Sequence, residues 1–565
     1  MKTALNLTRL VCVMAGSLAG TMVFGQVPDA GSLRQQIERE REVQLPRKLA
    51  PTAPAEPPAL KALTGQTVTV TTFRFAGNTL LGAGQLAGVV SGYINRPIDF
   101  SQLQAAATAV ASAYREAGWT VRTYLPQQDI VGGVVTIQIV EAVFGGVQLE
   151  GAPATRVGLA QIQRGFDAMQ AVGAPLNADA LDRALLLADD LPGVAVSGGL
   201  REGAQAGQTS LAIQLADEPL AMGDAAIDNI GSRSTGANRV SANLNFNSPL
   251  KLGDLISVNL IHAEGSDYLR LGGSLPVGAK GWRIGANAAH FGYRLVSPEF
   301  TALDAAGSSS TVGLEASYPL IRSRLRNLYF ALNYDSTSFD NQSGGVSTTR
   351  YKVGDFALAL NGNLYDNWLG GGANTGRLSY VAGTVNLDGS PNQAADSATT
   401  QTEGHFSKLR WNLSRQQVLA SNLAVFAQYS GQTASKNLDS SEKFYLGGAG
   451  GVRAYPANEG GGSQGQMFNL ELRWRLPQGL NLTGFYDWGK VTVNQSNDFA
   501  GATAVNDYSL KGAGLALAWQ GSSGLSLRAT LARRMGDNPN PTLTGTDQDG
   551  SLVSNRLWLN ASVPF

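Results

Sequence analysis

Beyond residue 220, apolar and polar side chains alternate in short runs bounded by turn residues, and no helical spacing survives. Alternation of period two sends successive side chains to opposite faces of a strand. It predicts about 16 strands, near 222–230, 237–247, 253–263, 266–276, 280–294, 311–319, 326–336, 349–364, 376–388, 404–415, 421–432, 466–475, 479–491, 507–519, 523–534 and 552–565. Most approach the roughly 9 to 11 residues with which a tilted strand crosses a bilayer. Every second connection is short, as at 248–253, 277–281, 320–324, 416–419, 476–479 and 520–523. The alternates include long polar stretches at 296–310, 335–348, 388–403, 433–465, 492–506 and 536–551. Short turns alternating with long loops fit a transmembrane barrel, whose even strand count returns both ends to one side. Phe468, Leu470, Leu472 and Trp474 are expected on lipid, with Asn469, Glu471, Arg473 and Arg475 in a wet interior.

The first 220 residues follow other periods. Residues 1–25 combine Lys2 and Arg9 with an apolar run over 10–19 and read as a secretory signal peptide. Residues 26–45 contain a helix polar nearly all round, with Ser32 and Gln35 as an expected capping box. Such a helix belongs in water or a wet cavity. Residues 46–66, with Pro46, Pro51, Pro54, Pro57 and Pro58, make a stiff extended linker. Residues 67–142 and 143–219 each show strand, helix, helix, strand, strand. That order, twice over, resembles POTRA domains, the periplasmic polypeptide-transport modules. The strands ending the modules are the expected free edges. The barrel then occupies 220–565.

Composition agrees with this division. Glycine is abundant (68 of 565 residues) and charged residues make only 15%, as suits glycine-rich β structure. Removing the leader deletes two bases and no acid, leaving 41 basic against 43 acidic residues, a balance of −2 that argues against nucleic-acid partners. The sole cysteine, Cys12, lies in the leader, so no thiolate metal site or cysteine nucleophile is expected. His262, His290 and His405 are scattered through strands, and neither a nucleophile elbow nor a phosphate loop occurs. The chain does not read as an enzyme, and no cofactor or metal is expected.

Two motifs stand out in the last third. Val452-Arg453-Ala454-Tyr455 lies in the glycine-rich loop 433–465, and Phe485-Tyr486-Asp487-Trp488-Gly489 lies in a strand. Alternation from Leu480 and Leu482 puts Thr483, Phe485 and Asp487 inward, where a loop arginine folded into the pore would meet a carboxylate. Glu471, also inward, is the rival partner for Arg453. Gly489 would admit loop backbone close to the wall.

These motifs resemble the Val-Arg-Gly-Tyr/Phe loop tip and the Phe-x-Asp-x-Gly wall of two-partner secretion transporters and their barrel-assembly relatives. Ala454 departs from the usual glycine; it would be strained only if φ there is positive. Asp228, Asn229, Gly231 and Gly236 resemble the same family's first-strand signature, and Phe565 resembles the terminal residue by which outer-membrane barrels are recognised for assembly. The resemblance implies a bacterial outer-membrane transporter with a barrel of about 16 antiparallel strands, two periplasmic α+β POTRA domains and an N-terminal plug helix. It implies a large secreted exoprotein as client, outer-membrane lipid around the barrel and the barrel-assembly machinery as a partner in biogenesis. Arg453 and Asp487 would form a loop-to-wall lock, supported by Val452, Tyr455, Phe485 and Gly489. An assembly factor for other barrels is the alternative, and a passive porin a weaker one.

Overall fold

A computed structural model describes residues 27–40, 67–205 and 207–565. The expected leader 1–25 and linker 46–66 lie outside the described residues, as do residue 26 and residues 41–45 at the edges of the expected plug.

In the first module, strand Thr72–Ala76 is followed by helices Ala83–Val89 and Phe100–Glu116 and strands Val121–Tyr124 and Val134–Glu141. Asp99 starts the long helix: its carboxylate accepts the Gln102 amide while the Gln102 side chain returns the bond. The second module repeats the order with Val143–Leu149, helices Leu159–Asp167 and Ala178–Asp189, and strands Val194–Glu202 and Gln208–Asp217. Each has its own apolar core, around Leu86, Val110, Tyr114 and Ile137 in the first and Phe144, Phe166, Leu185 and Ile213 in the second.

The expectation about free edges is overturned. The strand ending each module pairs on both sides, in parallel with the module's first strand and antiparallel with the strand before it. The two helices carry the chain to the far edge of the sheet, and a hairpin then brings the last strand back between that edge strand and the first, antiparallel to one and parallel to the other. The free edges are therefore Val121–Tyr124 and Thr72–Ala76, and Val194–Glu202 and Val143–Leu149.

One carboxylate braces the first module. Glu141 accepts the amides of Thr79 (2.7 Å) and Leu80 (2.9 Å), the Tyr114 hydroxyl (2.8 Å) and the Thr79 hydroxyl. Burial pushes its pKa up, but these donors outweigh burial and hold it below the ordinary glutamate range. A depressed folded pKa adds stability that is complete above the unfolded value, about 4.3, and is lost as pH falls through the folded one. Thermal melts of fragment 67–219 are thus expected to hold steady above about pH 5 and to drop below about pH 4. Glu141→Gln should remove much of that acid-sensitive drop; an unchanged profile would assign it elsewhere.

The barrel closes from 16 antiparallel strands, in chain order from Ala221–Asp228 to Asn555–Pro564, with the last paired to the first. Every expected strand is present. Leu470, Leu472 and Trp474 are exposed on the outer face while Asn469 and Glu471 are buried inside. The expected long loop at 335–348 is not there. Strands Arg326–Ser343 and Val346–Asp366 stay paired to a two-residue turn, Gly344-Gly345, with φ of 56° and 75°. The loop expected at 296–310 is likewise shortened, because strand Ala305–Arg322 begins at Ala305. These strands run 18, 18 and 21 residues, past the length that spans lipid. Towards the hairpin the outward positions turn polar, as at Ser336, Ser338 and Asp340, which erases the apolar outer face that marks a membrane strand.

Helix Ala30–Glu40 sits against the barrel's inner wall. Asp29 caps it, accepting the Ser32 amide at 2.8 Å while the Ser32 hydroxyl receives the Asp29 amide at 3.2 Å. The expected Ser32–Gln35 box is thus replaced by one formed three residues upstream, where the carboxylate is the better acceptor for the helix's free amides. Ala30, Leu33 and Ile37 form a narrow stripe against a cluster containing Tyr268, Phe291 and Phe339. The polar remainder meets the wall through Glu38–Tyr268 (2.8 Å), Glu40–Arg239 (2.9 Å) and the Ala30 amide on Asn341 (2.9 Å). At the rim that carries the short turns the second module docks through Asp190 on Arg322 (2.7 Å) and Asp182 on Arg324 (2.8 Å).

Candidate functional site

The connection between strands Leu423–Ala434 and Gln464–Arg475 turns inward and closes on itself. Its arms pair as Phe444–Tyr445 with Gly461–Gly462, and the Glu459 carbonyl accepts the amides of Leu446 (3.0 Å) and Gly447 (2.9 Å). The Val452 amide donates to the Leu446 carbonyl (2.7 Å) and the Tyr455 amide to the Val452 carbonyl (3.0 Å), which turns Arg453 out of the loop towards the wall. Leu446, Val452, Ala454 and Tyr455 are fully buried with Met467, Phe485, Val491 and Leu510.

Arg453 meets Asp487 as a fork. Its Nε donates to Oδ2 at 2.9 Å and its Nη2 to Oδ1 at 2.7 Å, and its own amide adds a bond to Oδ2 at 3.0 Å. Its Nη1 donates to Glu471 Oε1 at 2.7 Å, so Glu471 shares the guanidinium with Asp487 instead of competing for it. The guanidinium lies over the Phe485 ring, 3.6 Å from its centroid. Asn469 Nδ2 donates to Asp487 Oδ1 (2.8 Å) and to the Gly451 carbonyl (3.2 Å), joining wall and loop a second time. Arg473 Nε donates to the other Glu471 oxygen at 2.7 Å. Two bases and two acids thus alternate in one chain, with Asp487 at 0% exposure and Arg453 at 5%. A buried cation is tolerable only when matched and fully hydrogen-bonded in this way. The arrangement can hold and release a loop; it presents no nucleophile and base.

The loop approaches the wall closely at two glycines, and at Gly489 it does so with a side chain in place of backbone. A Cβ on Gly489 would come within 2.7 Å of the Leu446 side chain, so a loop side chain fills that space. The tighter contact is on the next strand, where a Cβ on Gly512 would lie 2.6 Å from the Ala454 Cβ. Ala454 is not among the residues of positive φ. The alanine is therefore unstrained, and the missing side chain that seats the loop belongs to the wall.

The first-strand motif lies apart from the lock. Asp228 pairs with Arg239 at 2.9 Å, and Arg239 also holds Glu40 of the helix. Asn229 joins first strand to last: Nδ2 donates to the Leu557 carbonyl (3.0 Å) and Oδ1 accepts the Leu559 amide (2.7 Å). Gly236 has φ of 95°, and a Cβ on Gly231 would sit 2.7 Å from the Gly236 carbonyl. Phe565 exchanges backbone hydrogen bonds with Gly223 at 3.0 Å each, its ring exposed on the outer surface. Sequence reasoning missed Trp558, whose Nε1 donates to the Arg453 carbonyl at 2.8 Å. Strand parity would have placed it inward, but no motif marks what it reaches.

Comparisons with known proteins point one way. The model of the family described as haemolysin secretion/activation protein ShlB/FhaC/HecB matches residues 207–519, and that of the ShlB-type POTRA domain matches residues 68–142. The chain is 24% identical over 532 residues to the heme/hemopexin transporter protein HuxB of Haemophilus influenzae strain 86-028NP, covering 92% of this chain and 93% of the relative. It is 23% identical over 458 residues to the outer membrane transporter CdiB of Dickeya dadantii, covering 78% and 79%. Among solved structures, CdiB from Escherichia coli superposes with a TM-score of 0.69 at 19% identity, covering 94% of this chain and 95% of that one. BamA from Haemophilus ducreyi, without its first three POTRA domains, gives 0.50 at 14% identity, covering 88% and 100%.

Proposed function

This chain belongs to the haemolysin secretion/activation family ShlB/FhaC/HecB and is an outer-membrane transporter of two-partner secretion; we propose how its parts divide that task. The POTRA modules catch an unfolded exoprotein in the periplasm. The N-terminal helix plugs the resting barrel, and Arg453 with Asp487 locks the inward loop against the wall. The observation that carries the lock is the buried, charge-matched chain of Arg453, Asp487, Glu471 and Arg473. Folding of the client outside the cell supplies direction.

The edge best suited to the client is Val194–Glu202. It is nine residues long and paired on one side. The Val196 amide donates to Asp189 Oδ1 (2.8 Å), so it points away from the paired strand, and alternation points those of Gly198 and Leu200 the same way. An extended client adding there would gain main-chain hydrogen bonds with little sequence demand. Leu200→Pro removes one outward amide without touching the sheet's own ladder. Export is expected to fall several-fold with the module still folded; undiminished export would rule this edge out.

The whole reading is tested by deleting the chain from its host and comparing culture medium with outer membrane. One very large protein should vanish from the medium while other barrels keep their levels. A general loss of barrels would favour the assembly-factor alternative.

A further inference from the structure

Arg453 and Asp487 are not the only hold on the inward loop. The final hairpin, strands Ser526–Arg534 and Asn555–Pro564 with the external loop between them, grips it at three levels. Deepest, Trp558 Nε1 donates to the carbonyl of Arg453 itself (2.8 Å). Above that, the Arg534 guanidinium lies over the Tyr455 ring, 4.6 Å from its centroid. At the top, Glu459 is fully buried, and its two oxygens accept Asn538 Nδ2 (2.9 Å) and the Gln548 amide (2.8 Å).

The grip is itself anchored. Asn538 also donates to Asp547 (3.0 Å), Arg534 pairs with Asp547, and Arg556 reaches Asp549 at 3.4 Å. Arg233 of the first external connection donates to the Asp549 carbonyl (2.7 Å) and pairs with Glu299 (2.7 Å). Asp547 and Asp549 are buried, at 0% and 3% exposure. Such a loop cannot drift off by solvent fluctuation alone, because leaving strands buried acids and arginines without partners.

We infer that the final hairpin is a clasp, with Trp558, Asn538 and Glu459 as positioning residues that seat the inward loop independently of Asp487. The inference rests on the inward loop's being the gate. Glu459 matters twice, since its carbonyl closes the loop at Leu446 and Gly447 while its carboxylate faces the clasp. Releasing the loop therefore requires the external cover to lift as well as the wall pair to part.

Asn538→Asp tests this outside the membrane-spanning strands. It exchanges a donor for a third acid beside Glu459 and Asp547, so the clasp should loosen. In planar bilayers the full chain carrying it is expected to open about ten times as often as the unaltered chain, the scale set by losing one buried charge-assisted bond. Glu459→Gln added to Asn538→Asp restores an amide-to-carboxylate bond with its polarity exchanged and should return opening at least half-way. Trp558→Phe keeps the ring, loses the donor and should open several-fold more often, with heat-modifiable gel migration reporting an intact barrel. Unchanged opening in Asn538→Asp, or no recovery in the double variant, overturns the clasp. If those fail while Arg453→Ala still blocks export, the lock stands and only the clasp falls.

Discussion

Arg453→Ala should lower export of the exoprotein at least about tenfold while the barrel still inserts and closes. The cause is stranded charge. Removing the guanidinium leaves Asp487, at 0% exposure, with Asn469 and one backbone amide, and leaves Glu471 to Arg473 alone. Breaking a buried pair from one side costs about 3 to 5 kcal/mol, far above the fraction of a kilocalorie carried by a surface pair. Barrel formation is spared because the strands Gln464–Arg475 and Leu480–Thr492 are paired over their whole length by backbone hydrogen bonds that owe nothing to the loop.

Asp487→Ala should be comparably severe. Arg453 then keeps Glu471 and the Phe485 face but loses both teeth of its fork. The double variant strands neither charge, so its effect should be clearly smaller than the sum of the singles, by about 1 kcal/mol or more of coupling. Strict additivity would mean that the contact does not serve export. Arg453→Lys is the sharpest single substitution: it keeps the charge and loses the planar fork, and should behave much more like alanine than like arginine.

Deleting residues 26–58 should raise single-channel conductance several-fold. The helix Ala30–Glu40 spans the gap between the wall and the inward loop, with Gln35 on the Lys443 carbonyl (3.2 Å), Arg39 on the Tyr445 carbonyl (2.6 Å) and Ser440 on Asp29 (2.7 Å). Two of the three end on backbone carbonyls that water can also satisfy, and only the Ser440 contact is made to a charged acceptor. A plug held by many exchangeable polar contacts and one narrow apolar stripe is well fitted to leave a wet pore. Leu33→Asp with Ile37→Asp gives the same test in a full-length chain, because burying two unpaired acids against Phe291 and Phe339 is unfavourable by several kcal/mol. Unaltered conductance in both would mean that the helix does not obstruct the pore.

Much of the molecule is legible in its sequence because the physics involved is local. Period two in a bilayer-length run places Phe485 and Asp487 inside and Leu470 and Trp474 outside, whatever the neighbouring strands do. The same local rule fails at residues 335–348, where paired strands rise into water and lose the apolar face that made them readable. At the helix start the error was a choice between two nearby acceptors, and Asp29 took the cap expected of Ser32.

Strand count, the order of modules, the two faces of each strand and the inward position of Asp487 are written in the chain, since each follows from side-chain alternation or chain order. Which groups share a charge and which edges stay free depends on how the elements come together in the fold. Closing the barrel puts Trp558 on the Arg453 carbonyl across 105 residues of chain, and Gly512 opposite Ala454, which leaves room for the alanine side chain. In each module the closing hairpin inserts the last strand between the other two, and in the second it leaves Val194–Glu202 open. These outcomes depend on which strands become neighbours, a property of the closed assembly that no local period records.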